Sequence, residues 1–173
     1  MRGFLKHGFA AMLAVCGVSA SATDAPPAAA PGPALEFAFE ELVTLGGDVH
    51  PGQTAMGERN IVPITGGHFE GPGLRGEVMP GGWDWQLIRN DGCLQIKADY
   101  FLKTEDGAVI NVLNTGVACP PVDGVRQPVF THPVFEAPKG KYDWLNRATF
   151  VGTLVPGGEK DKPAVRIRFY RLR

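Results

Sequence analysis

Apolar and polar positions alternate along much of this chain with a period of two. Ile96, Ala98, Tyr100 and Leu102 fall on one side, and Lys97, Asp99, Phe101 and Lys103 on the other. That period marks a half-buried strand. After Glu105-Asp106-Gly107 the pattern resumes, with Ile110 and Val112 alternating with Asn111 and Leu113. A three-residue loop with Gly107 left-handed is a favoured hairpin connection. It pairs Thr104 with Ala108, Leu102 with Ile110 and Tyr100 with Val112, so apolar faces apolar. A two-residue Asp106-Gly107 turn would set Leu102 against Asn111, which is poorer chemistry. Continued without a bulge, the three-residue register brings Cys93 opposite Cys119 and predicts a disulfide between them. A single bulge would break that alignment and leave two separately buried thiols.

Further strands are expected over Leu35–Leu45, Arg59–Ile64, His68–Met79, Trp83–Arg89, Leu94–Thr104, Val109–Val117, Val129–Ala137, Ala148–Val155 and Val165–Leu172. Gly46-Gly47, Gly66-Gly67, Pro80-Gly81-Gly82, Asp91-Gly92 and Pro156-Gly157-Gly158 punctuate them as turn signals. No stretch keeps a helical period over a helix's length. Short strands joined by tight turns make an antiparallel sheet, and closing that sheet removes its edges. The expectation is an all-β fold, a single closed or nearly closed antiparallel β-barrel of about eight to ten strands. Barrels of that size fill their interior with side chains or hold one small ligand. Glycine is dense between Ile61 and Trp85, which fits a sheet bending around something.

The first residues have a different character. Arg2 and Lys6 precede an apolar run from Phe9 to Val18, and Ala20-Ser21-Ala22 offers a cleavage site. This reads as a secretory leader over residues 1–22, too short to span a membrane. Lipidation at Cys16 is the weaker alternative, because bulky Val15 stands where a small residue is wanted. Residues 23–34 form a Pro/Ala-rich linker and residues 35–173 the barrel domain. The expected location is periplasmic or secreted, after cleavage near Ala22. Losing Arg2 and Lys6 takes the net charge from −1 to −3, which gives no pull toward nucleic acid. Arg166, Arg168, Arg171 and Arg173 on the last strand read as a solvated outer face. An even pair of cysteines suits an oxidising compartment.

Several segments together carry a family resemblance. They are Gly57-Glu58-Arg59, Ile64-Thr65-Gly66-Gly67-His68-Phe69-Glu70-Gly71-Pro72, Pro80-Gly81-Gly82-Trp83-Asp84-Trp85 and Asp106-Gly107. Phe130-Thr131-His132-Pro133-Val134-Phe135-Glu136 and Tyr142-Asp143-Trp144-Leu145-Asn146 complete the set. In this order the chain resembles the domain-of-unknown-function 3237 family from about Gly57 to Val151. The resemblance implies a compact antiparallel β-barrel in small bacterial proteins without an agreed activity. Where an acid and an arginine are expected around the tyrosine of the central strand, this chain has Lys97, Ala98, Asp99 and Tyr100. That departure alters the charge of any site shared at those positions.

The candidate chemistry lies in acids flanked by aromatics. Trp83-Asp84-Trp85 puts both indoles on one face and the carboxylate on the other, and Tyr142-Asp143-Trp144 repeats the pattern. One reading makes Trp85 and Trp144 core residues, with both aspartates capping turns. The other turns Asp84 inward, where desolvation raises its pKa and fits it for proton transfer. Glu70 and His68 share a face and form a second candidate acid/base pair. Arg59 suits an anionic substrate group or a rim ion pair. Tyr142 and Asn146 offer neutral hydrogen bonds at the barrel mouth, Trp85 and Trp144 offer stacking faces, and Tyr100 is either luminal or core.

Familiar alternatives fall away. His50, His68 and His132 lack metal-ligand spacing, so no metal is expected. The glycine runs lack the Lys-Ser/Thr of a phosphate loop, no serine sits in a nucleophile elbow, and no cofactor is expected. The sequence therefore supports a barrel that binds a small aromatic or hydroxylated molecule. Cofactor-free acid/base catalysis by Asp84 or Glu70 (isomerisation, elimination or decarboxylation) is the active form of that reading. A non-catalytic periplasmic ligand-binding or structural barrel is the alternative.

Overall fold

Ten antiparallel strands make up one sheet in the computed structural model, which describes residues 32–159 and 161–173. The expected leader and residues 23–31 of the linker lie outside the described residues. The strands are β1 (Leu35–Leu45), β2 (Val49–Thr54), β3 (Gly57–Gly71), β4 (Leu74–Val78) and β5 (Gly82–Ile88). They continue as β6 (Leu94–Thr104), β7 (Val109–Ala118), β8 (Val129–Glu136), β9 (Phe150–Pro156) and β10 (Ala164–Leu172).

Neighbours run β1–β10–β9–β8–β7–β6, then through β4 and β5 to β3, which pairs back onto β1. Both β4 and β5 lie antiparallel between β3 and β6, each against a different half of those strands. They are two parts of one barrel position, interrupted at Met79-Pro80-Gly81, where proline can donate no ladder bond. The ring closes with eight positions, and β2 lies outside it against β3. The closed all-β barrel expected from the alternation is the observed fold.

The departures have local causes. Gly66-Gly67 makes no turn but bends β3, which runs unbroken for 15 residues where two strands were expected. Gly67 has φ +135°, and a Cβ there would lie 2.0 Å from the Leu42 carbonyl oxygen. Glycine is thus what lets β3 press against β1. Strand β2 was not anticipated because Val-His-Pro-Gly-Gln-Thr carries no apolar alternation, and its residues are mostly exposed. Tyr142-Asp143-Trp144 leads into a 3-10 helix over Asp143–Arg147, so its strand-like spacing misled. Arg166 and Arg168 pair with Glu40, and Arg173 with Glu36, which makes the basic last strand part of an outer ion-pair ladder.

The β6–β7 register is the expected one. Leu102 faces Ile110, Tyr100 faces Val112, and the ladder runs without a bulge to Leu94 and Ala118. One step further, Cys93 and Cys119 form a disulfide across 26 residues, with Cα atoms 4.1 Å apart. Closing a loop of that length restricts the unfolded chain by about 3 kcal/mol. Reduction is expected to lower the unfolding free energy by roughly that amount. Urea titrations with and without reductant read it directly, and coincident curves would remove the bond from the stability of the barrel.

Inward side chains fall into two zones. One half of the lumen is filled by Phe39, Phe69, Phe135, Phe150 and Phe169, with neighbouring ring centroids 4.9–5.9 Å apart in tilted or edge-on contacts. Buried Leu145 of the 3-10 helix joins this cluster. The other half is open.

Candidate functional site

On each strand the open zone begins where the packed one ends. β1 passes from Phe39 through Glu41 to Val43; β6 passes from Leu102 through Tyr100 to Ala98; β7 passes from Val112 to Asn114. Beyond that level lies a cavity of about 490 Å³. Its walls are mainly aliphatic, from residues such as Val43, Ile64, Ile96 and Ile167, and its polar groups are few: Asp84, Gln86, Tyr100, Asn114, Arg126 and Gln127. A mainly apolar cavity with a few convergent polar groups is the usual form of a small-molecule site.

Asp84 enters this space because β5 alternates. Trp83 and Trp85 stand outward, 40% and 46% exposed, while Asp84 and Gln86 point into the lumen. Gly82 lets the start of β5 come in close, since a Cβ there would meet the Tyr100 Cβ at 2.4 Å. The Asp84 carboxylate accepts from Gln86 Nε2 at 2.9 Å and from the Lys97 backbone N–H at 3.0 Å. Burial raises its pKa above the ordinary value, and these two bonds only partly oppose that. Gln86 is held in turn by Asn60 Nδ2, which donates to its Oε1 at 3.1 Å.

Bonded to Tyr100 is a buried acid that the sequence reading missed. Glu41 is 1% exposed, and the Tyr100 hydroxyl donates to its Oε1. Desolvation pushes the Glu41 pKa up to about 8, against the lowering effect of that bond. Burial also raises the Tyr100 pKa well above its ordinary value, reinforced by Glu41 and Asp84. Tyr100 thus keeps its proton and points it at Glu41, leaving its oxygen as an acceptor. The sequence did carry a signal: Phe39, Glu41 and Val43 share one face by the period of two, which puts a charged residue on an apolar strand face. Asn114 was missed as well. It lines the cavity at 1% exposure, and its Oδ1 has no hydrogen-bond partner.

Most other expected site residues stand elsewhere. His68 and Glu70 are exposed on the outer side of β3, because Phe69 between them is the inward residue. Trp85 is outward and presents no stacking face to the lumen. Arg59 Nη1 donates to the Trp85 and Gln86 carbonyls at 3.2 and 3.3 Å, which ties it to the β5 backbone. Tyr142, Trp144 and Asn146 sit at the packed end of the barrel, not at the cavity mouth. The Tyr142 hydroxyl donates to Asp106 at 2.8 Å, Trp144 packs on Phe150 at 5.8 Å, and Asn146 brackets the Ala137 backbone at 2.8 and 2.9 Å. Of the sequence-derived candidates, Asp84 and Tyr100 are the ones brought together in the cavity. Among the described residues no group of three or more His, Cys, Asp or Glu side chains is arranged to hold a metal ion.

Related proteins share this architecture. A UPF0311 protein of Rhodopseudomonas palustris is 36% identical over 135 residues, spanning 70% of this chain and 88% of its own. Its crystal structure aligns with a TM-score of 0.74 at 30% identity, covering 83% of this chain and 100% of that one. A hydroalkoxylation enzyme of Penicillium herquei is 33% identical over 121 residues, 70% of this chain and 74% of its own. The crystal structure of an enzyme from the same organism aligns with a TM-score of 0.62 at 28% identity, covering 84% of this chain and 98% of that one. With the family's sequence pattern matched over residues 33–172, the chain belongs to DUF3237, a family described as protein of unknown function.

Proposed function

We propose that the barrel is a cofactor-free acid/base enzyme, acting in its lumen on a small, largely apolar molecule that carries a hydroxyl group. One observation carries this reading: the carboxyl of Asp84 stands in an aliphatic cavity, its pKa raised, beside a buried Tyr100. An acid/base whose pKa is shifted toward neutrality transfers protons in both directions most effectively. Tyr100 and Asn114 add hydrogen-bond acceptors at the inner end, which suit a ligand O–H. The likeness to a hydroalkoxylation enzyme gives the reaction class its shape. In such a step Asp84 takes the proton of a substrate hydroxyl as its oxygen bonds to one alkene carbon. It returns that proton to the other carbon, so the C=C becomes C–O and C–H and Asp84 ends as it began. Elimination is the same path reversed.

The leader read at residues 1–22 supports a periplasmic or secreted site of action. The test incubates purified protein in deuterated buffer with pooled hydroxylated aromatic and alkenoic compounds, followed by proton NMR. New resonances with deuterium bound to carbon are the expected result. Binding without product or deuterium uptake across the pool would leave a ligand carrier in place of an enzyme.

A further inference from the structure

The rim of the cavity carries a feature that the acid/base reading does not use. Among the described residues, Arg126 is the only cation lining the cavity, and Asp84 is the only carboxylate. Arg126 lies in the segment between β7 and β8, exposed, and makes no ion pair with any described residue. That segment is tied to the barrel at its two ends and bridged to itself between them. The disulfide anchors it at Cys119, Val122 and Val125 bridge each other across a turn at Asp123-Gly124, and Pro128 leads into β8. Gln127 and Pro128 line the same rim. The guanidinium is therefore carried at the mouth of an apolar cavity, where its fork suits a carboxylate.

At the inner end stands Asn114. Its carboxamide oxygen is buried and unpartnered, an arrangement that costs free energy unless a ligand donor meets it. Along β7, Asn114 and the rim residue Ala118 are separated by four residues. At strand rise that is about 13 Å, or about 10 Å of depth once the usual barrel tilt is allowed for. An apolar molecule of that length would meet a cation at one end and a hydrogen-bond acceptor at the other.

We propose that the cavity takes an amphipathic organic acid, with its carboxylate on Arg126, its apolar body along the aliphatic walls and a hydroxyl donated to Asn114 Oδ1. The proposal rests on the lumen being the substrate site, and it adds the substrate class and its direction of entry. The anion stays at the wet rim, away from Asp84, so the carboxylates at the two ends do not compete.

Calorimetric titration of purified protein tests it with para-hydroxycinnamate, para-hydroxyphenylbutyrate, the methyl ester of each, and cinnamate. The acids are expected to bind about five-fold more tightly than their esters, as an exposed charge pair allows, with the preference shrinking as salt rises. Arg126→Gln brings the acids down to the affinity of the esters. Asn114→Leu, close in volume, removes the advantage of para-hydroxycinnamate over cinnamate. Equal binding of acid and ester, an acid preference that survives R126Q, or no binding by any of the set would overturn the proposal. The two readings fail separately. Acids that bind without reacting sink the acid/base enzyme and leave the ligand class standing. Esters that bind and react as readily as acids do the opposite.

Discussion

Asp84→Asn is expected to lower turnover in the lumen by roughly 10²- to 10⁴-fold, the usual contribution of a positioned acid/base. Asparagine matches the carboxylate in size and keeps the oxygen that accepts from the Lys97 N–H at 3.0 Å. What it lacks is a proton that can leave and return. Its Nδ2 would meet Gln86 Nε2, the present donor to Asp84, so the Gln86 amide must turn over and give up the Asn60 bond. The cost of that rearrangement is offset by no longer desolvating a carboxyl, which is what raises the Asp84 pKa. The variant should therefore fold normally and bind ligand with near wild-type affinity. The measurement is product formation and ligand affinity on the same preparation, with circular dichroism as the control on folding. A kcat within a few-fold of wild type would remove Asp84 from the mechanism. Loss of affinity in step with turnover would make it a binding residue instead.

The fold was legible because closed antiparallel sheets write a period of two into the chain. Ile96, Ala98, Tyr100 and Leu102 could be placed on one face, and the Thr104–Ala108 loop set a register that reached Cys93 and Cys119. The site was less legible because period two says which residues share a face, not which face is inside. For Trp83-Asp84-Trp85 the two orientations were equivalent until barrel closure chose one. His68 and Glu70 lie outside the lumen for the same reason, their face being fixed by Phe69 packing against the core. The Tyr142–Asn146 segment lies away from the cavity for a different reason: a 3-10 turn and a strand both put alternate aromatics near one another over three residues. Arg126 had no local signal, and Asn114 only that it continues the Ile110 and Val112 face by the period of two. Each gains its setting from chain distant in sequence, Arg126 from strands lining the mouth and Asn114 from the lumen formed around it.

Raising the pH from 5 to 8 is expected to destabilise the wild-type protein, and Glu41→Gln to remove most of that slope. Glu41 has a folded pKa of about 8 against an ordinary value of 4.5, with burial the cause. Its folded-state pKa is thus the higher one, so between these values the native protein holds a proton that the unfolded chain has released. Stability then falls as pH rises through the window, and the full penalty is reached above pH 8. A difference of this size corresponds to about 5 kcal/mol, a large share of a domain's usual stability. Asp84, also raised by burial, acts in the same direction. Glu40 and Asp91, lowered by arginine partners and hydrogen bonds, act on the acid side of the window. Glutamine keeps an oxygen for the Tyr100 hydroxyl, while its amide replaces an Oε2 that has no partner in the wild type. At pH 5 the variant should be equal to or slightly less stable than wild type, and at pH 8 clearly more stable. Urea midpoints for both proteins at pH 5, 6, 7 and 8 decide it: converging curves at low pH support a neutral buried Glu41, and parallel curves would mean that Glu41 is ionised throughout.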